Sequence, residues 1–202
     1  LVATGRGPVS TDLGYEDIGV KLDRGFVVPK SWDTLETDVE GVYAVGDILP
    51  PPSLALAHAS FAEGMLIAET IAGQPSPPID YAGIPRVTYC TPEVASVGLT
   101  EAQAKEQGHD VVVNKFPFNG TAKGLIHGLG GIVKVVAAKD GPVLGIHLVG
   151  ARVTDLVAEA MLIYNWEALP IDVAQYIHPH PTLSEAVGEA HLTLAGRRFH
   201  QI

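Results

Sequence analysis

Gly131-Ile132-Val133-Lys134-Val135-Val136-Ala137-Ala138, then Lys139-Asp140-Gly141, then Pro142-Val143-Leu144-Gly145-Ile146-His147-Leu148-Val149 reads as two strand-like runs joined by a hairpin turn. Further strand-like runs lie upstream at residues 85–90 and 109–116. Helical patterns occupy residues 100–106, 152–166 and 182–194. Strands in the middle with helices segregated around them give an α+β domain with a largely antiparallel sheet and flanking helices.

Outward from this block, the chain changes character. Gly73-Gln74-Pro75-Ser76-Pro77-Pro78 carries three prolines and no periodicity, which marks a domain boundary near Tyr81. Before it, Val42-Tyr43-Ala44-Val45 reads as a short strand closed by Gly46-Asp47, and Pro50-Pro51-Pro52 forces an extended connection. Ser53 is the expected N-cap of a helix over residues 54–71. Leu54, Ala57, Phe61, Met65, Ala68 and Ile71 fall near helical spacing as its apolar face, Glu63 and Glu69 fall on other positions, and Gly73 suits the stop. Residues 1–4 read as a strand running into a turn at Gly5-Arg6-Gly7-Pro8. The chain starts on this apolar segment without methionine, which suggests a piece of something longer.

Composition narrows the classes. Hydrophobic residues make up 47% of the 202 and charged residues 18%, enough for a core and against wholesale disorder. A net charge of -10 without a basic cluster argues against nucleic acid or an anionic membrane as partner. Apolar runs break well before the roughly 20 residues that cross a bilayer, and no secretory signal is visible, so a cytoplasmic location is the default expectation. Cys90 is the only cysteine, which excludes an internal disulfide framework and a cysteine-based metal cluster; no metal site is expected.

Three places could carry chemistry. His178-Pro179-His180-Pro181-Thr182-Leu183-Ser184-Glu185 presents His180 from a segment stiffened by two prolines, just before a helix. A carboxylate on one ring nitrogen would fix the tautomer and raise the basicity of the other, and Glu185 is placed to be it. The same residues also fit a capping box, with Thr182 as cap and Glu185 folded back to a backbone N–H. Both readings account for Glu185. His178, one of eight histidines, reads as structural or surface. Asp47, where a strand stops, could accept hydrogen bonds from sugar or sugar-alcohol hydroxyls, or simply open a turn. The helix start around Ser53-Leu54-Ala55-Leu56-Ala57-His58 offers small side chains and a positive dipole end to developing negative charge. Gly5-Arg6-Gly7 and Gly128-Leu129-Gly130-Gly131 lack the third glycine of a dinucleotide fingerprint at its required spacing, the second leads straight into a strand, and residues 119–124 read as a flexible connection instead of a P-loop.

Thr4-Gly5-Arg6-x-Pro8, Val42 to Asp47, Leu56-Ala57-His58, Thr91-Pro92-Glu93-Val94-Ala95-Ser96-Val97-Gly98 and the His178 to Glu185 stretch follow one another as they do in the pyridine nucleotide-disulfide oxidoreductase family. The chain resembles that family over essentially its whole length, and its His-x-His-Pro-Thr-Leu-Ser-Glu form looks like the dihydrolipoamide dehydrogenases more than glutathione or mercuric reductases. The resemblance implies that residues 1–39 end an NAD-binding domain and its connection, 40–80 complete an FAD-binding domain, and 81–202 form the interface domain of a homodimer. It implies FAD and NAD as cofactors of a longer parent, and leaves open whether this portion binds either. Asp47 would hold the ribityl chain, Ala55, Leu56, Ala57 and His58 would meet the flavin ring, and Gly5 would lie near the nicotinamide nucleotide. His180 and Glu185 would be the acid/base pair that deprotonates a dihydrolipoyl dithiol across the dimer. A lipoyl-bearing acyltransferase of a 2-oxo acid dehydrogenase complex is the implied partner. The family's Cys-x-x-x-x-Cys and both Gly-x-Gly-x-x-Gly fingerprints are absent here, so the portion on its own is expected to be inactive. A stand-alone dimerisation module and a piece of a glutathione reductase-like enzyme remain the alternatives.

Overall fold

The computed structural model describes residues 1–200. The chain divides into two compact units, residues 1–81 and residues from 82 on.

The second unit carries the sheet. Strands β3 (Arg86–Thr88), β4 (Glu93–Gly98), β5 (Val111–Pro117), β6 (Gly131–Ala138) and β7 (Val143–Gly150) form one sheet in the order β3-β4-β7-β6-β5, with every neighbour antiparallel. The opening hairpin is as expected: Asp140 takes a left-handed φ of 56° and the Gly141 N–H returns to Ala138 O at 3.0 Å. Alternation along the strands sends Phe116, Val133, Leu148 and Ala95 to one face in a single cross-strand row, with Val135, Ile146 and Val97 in the next. Helix α4 (Val153–Asn165) crosses β4 and β7, and α6 (Glu185–Leu194) crosses β5 and β6. Val153, Val157, Ala160, Val187 and Ala190 close the core against these rows. On the other face Lys134 pairs with Glu101 of α2 (Glu101–Glu106) at 2.8 Å. The fold is α+β with an antiparallel sheet, as the sequence indicates.

Two elements here were not read from the sequence and one local expectation fails. Residues 93–98, quoted above only as a motif, are an inner strand. Short helix α5 (Pro170–Ala174) was not expected. Residues 119–124 are not a flexible connection: the Thr121 hydroxyl donates to Phe118 O at 3.0 Å and accepts the Gly124 N–H at 3.1 Å, starting helix α3 (Ala122–His127). A Cβ on Gly124 would stand 1.9 Å from Phe118 O, so the bend requires glycine for space.

The first unit holds a two-stranded hairpin, β1 (Leu22–Asp23) and β2 (Phe26–Val27), and helix α1 (Ala57–Ile71) over a small core of Val20, Val27, Leu35, Ala44, Leu49 and Leu66. The expected strand over residues 42–45 is reduced to one bridge, Tyr43 with Glu36, because its ladder partners are only the Leu35 and Thr37 backbone. Residues 1–4 form no strand and are exposed. Helix α1 begins three residues later than expected. Leu56, not Ser53, holds the cap position, and the Ser53 hydroxyl goes instead to Glu63 at 2.6 Å. The helix phase is also rotated: Ala59, Glu63 and Leu66 are buried, whereas Phe61 is 71% and Met65 62% exposed. Both faces are apolar, so spacing cannot choose between them, and the hydrogen bonds of Glu63 decide. Gly73 ends the helix at φ 65° as expected. Among the described residues no helix is long and apolar enough to cross a membrane.

Candidate acid/base and cofactor sites

His180 lies in the irregular run between α5 and α6, and that run is anchored on either side of it. His178 Nε2 meets Glu159 Oε1 of α4 at 2.7 Å, with the imidazole packed where Gly188 of α6 has no side chain. The Glu159 hydrogen bond raises the His178 pKa above its ordinary value despite burial. The Thr182 hydroxyl donates to Pro179 O at 2.7 Å and shares a hydrogen bond with Ser184 at 2.9 Å. Leu183 turns into the core. These contacts delay the helix to Glu185, so Thr182 does not cap it; Ser184 occupies that position without a side-chain bond.

Glu185 makes one contact from each reading of its motif, although Thr182 is not the helix cap. Its Oε2 accepts the Thr182 N–H at 2.8 Å, the reciprocal half of a capping box, and its Oε1 meets His180 Nδ1 at 2.8 Å. The carboxylate is 17% exposed and the imidazole 70%. Burial pushes the Glu185 carboxyl up, but the Thr182 N–H, His180 and the charge of His200 outweigh it, and the group titrates below the usual range. A carboxylate on Nδ1 selects the Nδ1–H tautomer and leaves Nε2, which has no hydrogen-bond partner among the described residues, as the basic nitrogen. The pair can therefore take up a proton at Nε2 and share the resulting charge with Glu185. Beside it, a cavity of about 490 Å³ is lined by Lys123, His127, Arg152, Pro181 and Thr182.

The sequence reading missed Glu159, whose tie to His178 spans 19 residues, and Glu189, whose Oε1 meets His200 Nδ1 at 2.7 Å. A polar residue inside an apolar helical stretch is the only signal either offers.

In the first unit, Gly46 at φ 85° turns the chain so that Asp47 and Ala55 line a cavity of about 600 Å³ together with Arg6, Phe26 and Ser53. The Asp47 carboxylate is half exposed, 3.7 Å from Arg6 Nη2. Of the residues expected at the flavin, Leu56, Ala57 and His58 are not in that lining, and neither is Gly5, which was expected at the nicotinamide nucleotide. Gly5, at φ 91°, has no atom within 4 Å of where a Cβ would stand, which leaves its backbone approachable. Cys90 is exposed, with Sγ 3.0 Å from Pro92 O. Among the described residues no cluster of His, Cys, Asp or Glu could hold a metal.

Residues 84–191 match the family described as pyridine nucleotide-disulphide oxidoreductase, dimerisation domain. A dihydrolipoyl dehydrogenase of Bacillus subtilis is 42% identical over 203 residues, covering 99% of this chain and 42% of that protein. One from Rhizobium etli is 45% identical over 189 residues, covering 92% and 38%. The chain thus spans about two-fifths of the length of the curated relatives it matches. Among solved structures, LpdA from Mycobacterium tuberculosis superposes with a TM-score of 0.85 at 23% identity over 93% of this chain and 41% of its own. The HOCl-induced flavoprotein disulfide reductase RclA from Escherichia coli gives 0.83 at 22% identity, over 94% and 43%. At those identities the two structures speak to the fold. The sheet, the helices laid across it and the matched residues lead to one conclusion: the chain belongs to the pyridine nucleotide-disulphide oxidoreductase family, with that family's dimerisation domain in its second unit.

Proposed function

We propose that this chain is the C-terminal part of a cytoplasmic, homodimeric flavoprotein that oxidises dihydrolipoyl groups and reduces NAD. It supplies the acid/base pair and the dimer interface. The observation that carries the reading is the 2.8 Å bond between His180 Nδ1 and Glu185 Oε1, with Nε2 left as the outward base. Residues 1–39 and 40–80 are assigned to the ends of the NAD- and FAD-binding domains and 81–202 to the interface domain.

In this mechanism Glu185 holds the His180 tautomer and stabilises its imidazolium, while the His178 anchor fixes the segment. Nε2 removes a proton from a substrate thiol, because the thiolate is the nucleophile in disulfide exchange. The dithiol it serves lies outside this chain, since Cys90 is the only cysteine. The residues around Asp47 fit FAD: a half-exposed carboxylate suits ribityl hydroxyls, and Ala55 is small enough for close approach. FAD held at Asp47 and Ala55 would supply a two-electron acceptor between the dithiol and NAD. Gly5 would lie against the nicotinamide nucleotide. A lipoyl-bearing acyltransferase is the partner that such an activity needs.

Replacing His180 by Gln in the full-length protein is expected to cut dihydrolipoamide turnover by about 10²- to 10⁴-fold while flavin absorbance and sedimentation stay unchanged. Near-normal turnover would overturn the base assignment. Faster turnover with glutathione disulfide than with lipoamide would move the protein to the glutathione reductase-like branch.

A further inference from the structure

Glu63 is a carboxylate with no exposure at all in the middle of α1, and three donors converge on it. Gly46 N–H reaches Oε2 at 2.7 Å, while the Ser53 and Tyr81 hydroxyls reach Oε1 at 2.6 and 3.0 Å. The Gly46 N–H can only donate, so it requires an acceptor at Oε2; a carboxylate supplies that oxygen and offers both hydroxyls a charged acceptor. Gly46 precedes Asp47, and Asp47 and Ser53 both line the cavity of the first unit. One buried group therefore clamps two walls of that cavity from behind, and anchors both to α1 and to Tyr81, itself buried edge-on against Trp32 at 5.7 Å. Gly46 fits because a Cβ there would stand only 3.3 Å from the Ser60 hydroxyl.

We propose that Glu63 is the positioning residue of the Asp47 cavity, holding the Gly46-Asp47 turn and Ser53 in the register that lets Asp47 receive a polyhydroxyl ligand such as the ribityl chain of a flavin. This rests on the cofactor reading of Asp47 given above. Burial, and then the charge of Glu63, raise the Tyr81 phenol well beyond its usual pKa, so its proton remains available to the carboxylate throughout the working range.

Two measurements test this. In the 202-residue chain, Glu63→Gln leaves the Gly46 N–H at best a neutral acceptor in place of a charged one, and the Gly46 amide proton is expected to move upfield and exchange with solvent about tenfold faster. The Val27 and Ala44 amides, hydrogen-bonded to Ile48 and Leu35 elsewhere in the unit, report that the fold survives. An unchanged Gly46 amide overturns the proposal. In the flavin-carrying full-length protein the same change is expected to weaken FAD at least about tenfold at temperatures where the variant is folded. A residue that only stabilises would lower the melting point and leave FAD affinity alone, and that result also overturns the proposal. If Glu63→Gln unfolds the unit, Ser53→Ala decides, because it deletes one donor and keeps the charge; FAD binding and Gly46 exchange identical to wild type would sink the idea. Asp47→Asn separates the two claims: FAD binding indifferent to it counts against the cofactor reading alone, with the Gly46 amide still deciding on Glu63.

Discussion

At the residue scale, His191 of α6 shows how burial converts into pH dependence. It has no exposure; Nδ1–H donates to Val187 O at 2.7 Å and Nε2 has no partner among the described residues. Burial lowers its pKa to about 4, against about 6.5 for the unfolded chain. The unfolded state therefore binds the extra proton as pH falls below about 6.5, and stability drops with acidification. At pH 5 the loss is about 2 kcal/mol. His147, also lowered by burial, adds in the same direction. His178, raised by Glu159, has the opposite sign: its contribution is fully present below about 6.5 and fades as pH rises through its folded value, so it offsets part of the loss between pH 7 and about 6.5 and adds nothing further below that. Replacing His191 by Leu removes one unpaired nitrogen and leaves Val187 O with its helical partner, so stability at pH 7 is expected to change little. Urea melts at pH 7 and pH 5 check this: a variant as acid-sensitive as wild type would place the sensitivity elsewhere. The His180–Glu185 pair was legible because five residues and two prolines hold both groups in one local segment. Glu159 and Glu63 were not legible, because their partners are set by tertiary contacts between helices and distant turns.

The elements divide in the same way. Strands β5, β6 and β7 and their hairpin could be read directly, since alternation along a strand reports the buried face without knowledge of the neighbours. Helix α1 could not, because apolar residues on both faces make its phase ambiguous. The start of α6 was misplaced by three residues because the Thr182 hydroxyl found Pro179 O in place of the helix end. Within α6, Gly188 is where the helix meets the His-bearing segment: a Cβ there would stand 2.5 Å from His178 Nδ1. Ala is a better helix former than Gly by about 1 kcal/mol, but displacing the imidazole breaks its bond to Glu159. Gly188→Ala is therefore expected to destabilise by about 1–3 kcal/mol net and to bring the His178 titration back toward its ordinary value. Thermal melts and a proton-NMR titration of the histidines check both. A more stable variant with His178 unmoved would mean that the segment is not held through this contact.

For the molecule as a whole, the second unit leaves an apolar surface that a monomer does not explain. Ile177 is 96% exposed, with Trp166 and Tyr176 also open, around a cavity of about 580 Å³ that reaches Leu162 and Val173. Large contiguous apolar patches on soluble proteins mark contact surfaces, and the family of this unit is a dimerisation domain. A second copy of the chain is the proposed cover. Ile177 stands three residues before His180, so closing this surface and completing the acid/base site would be one event. Ile177→Asp places an uncompensated charge in the seam and is expected to weaken self-association at least about tenfold. Sedimentation velocity over a concentration series reads it directly. In the full-length protein, turnover should fall in step with the dimer fraction and recover at high protein concentration. A wild-type chain that stays monomeric at high micromolar concentration would remove the homodimer from the proposal. A monomeric Ile177→Asp protein with full turnover would show that His180 works within its own subunit.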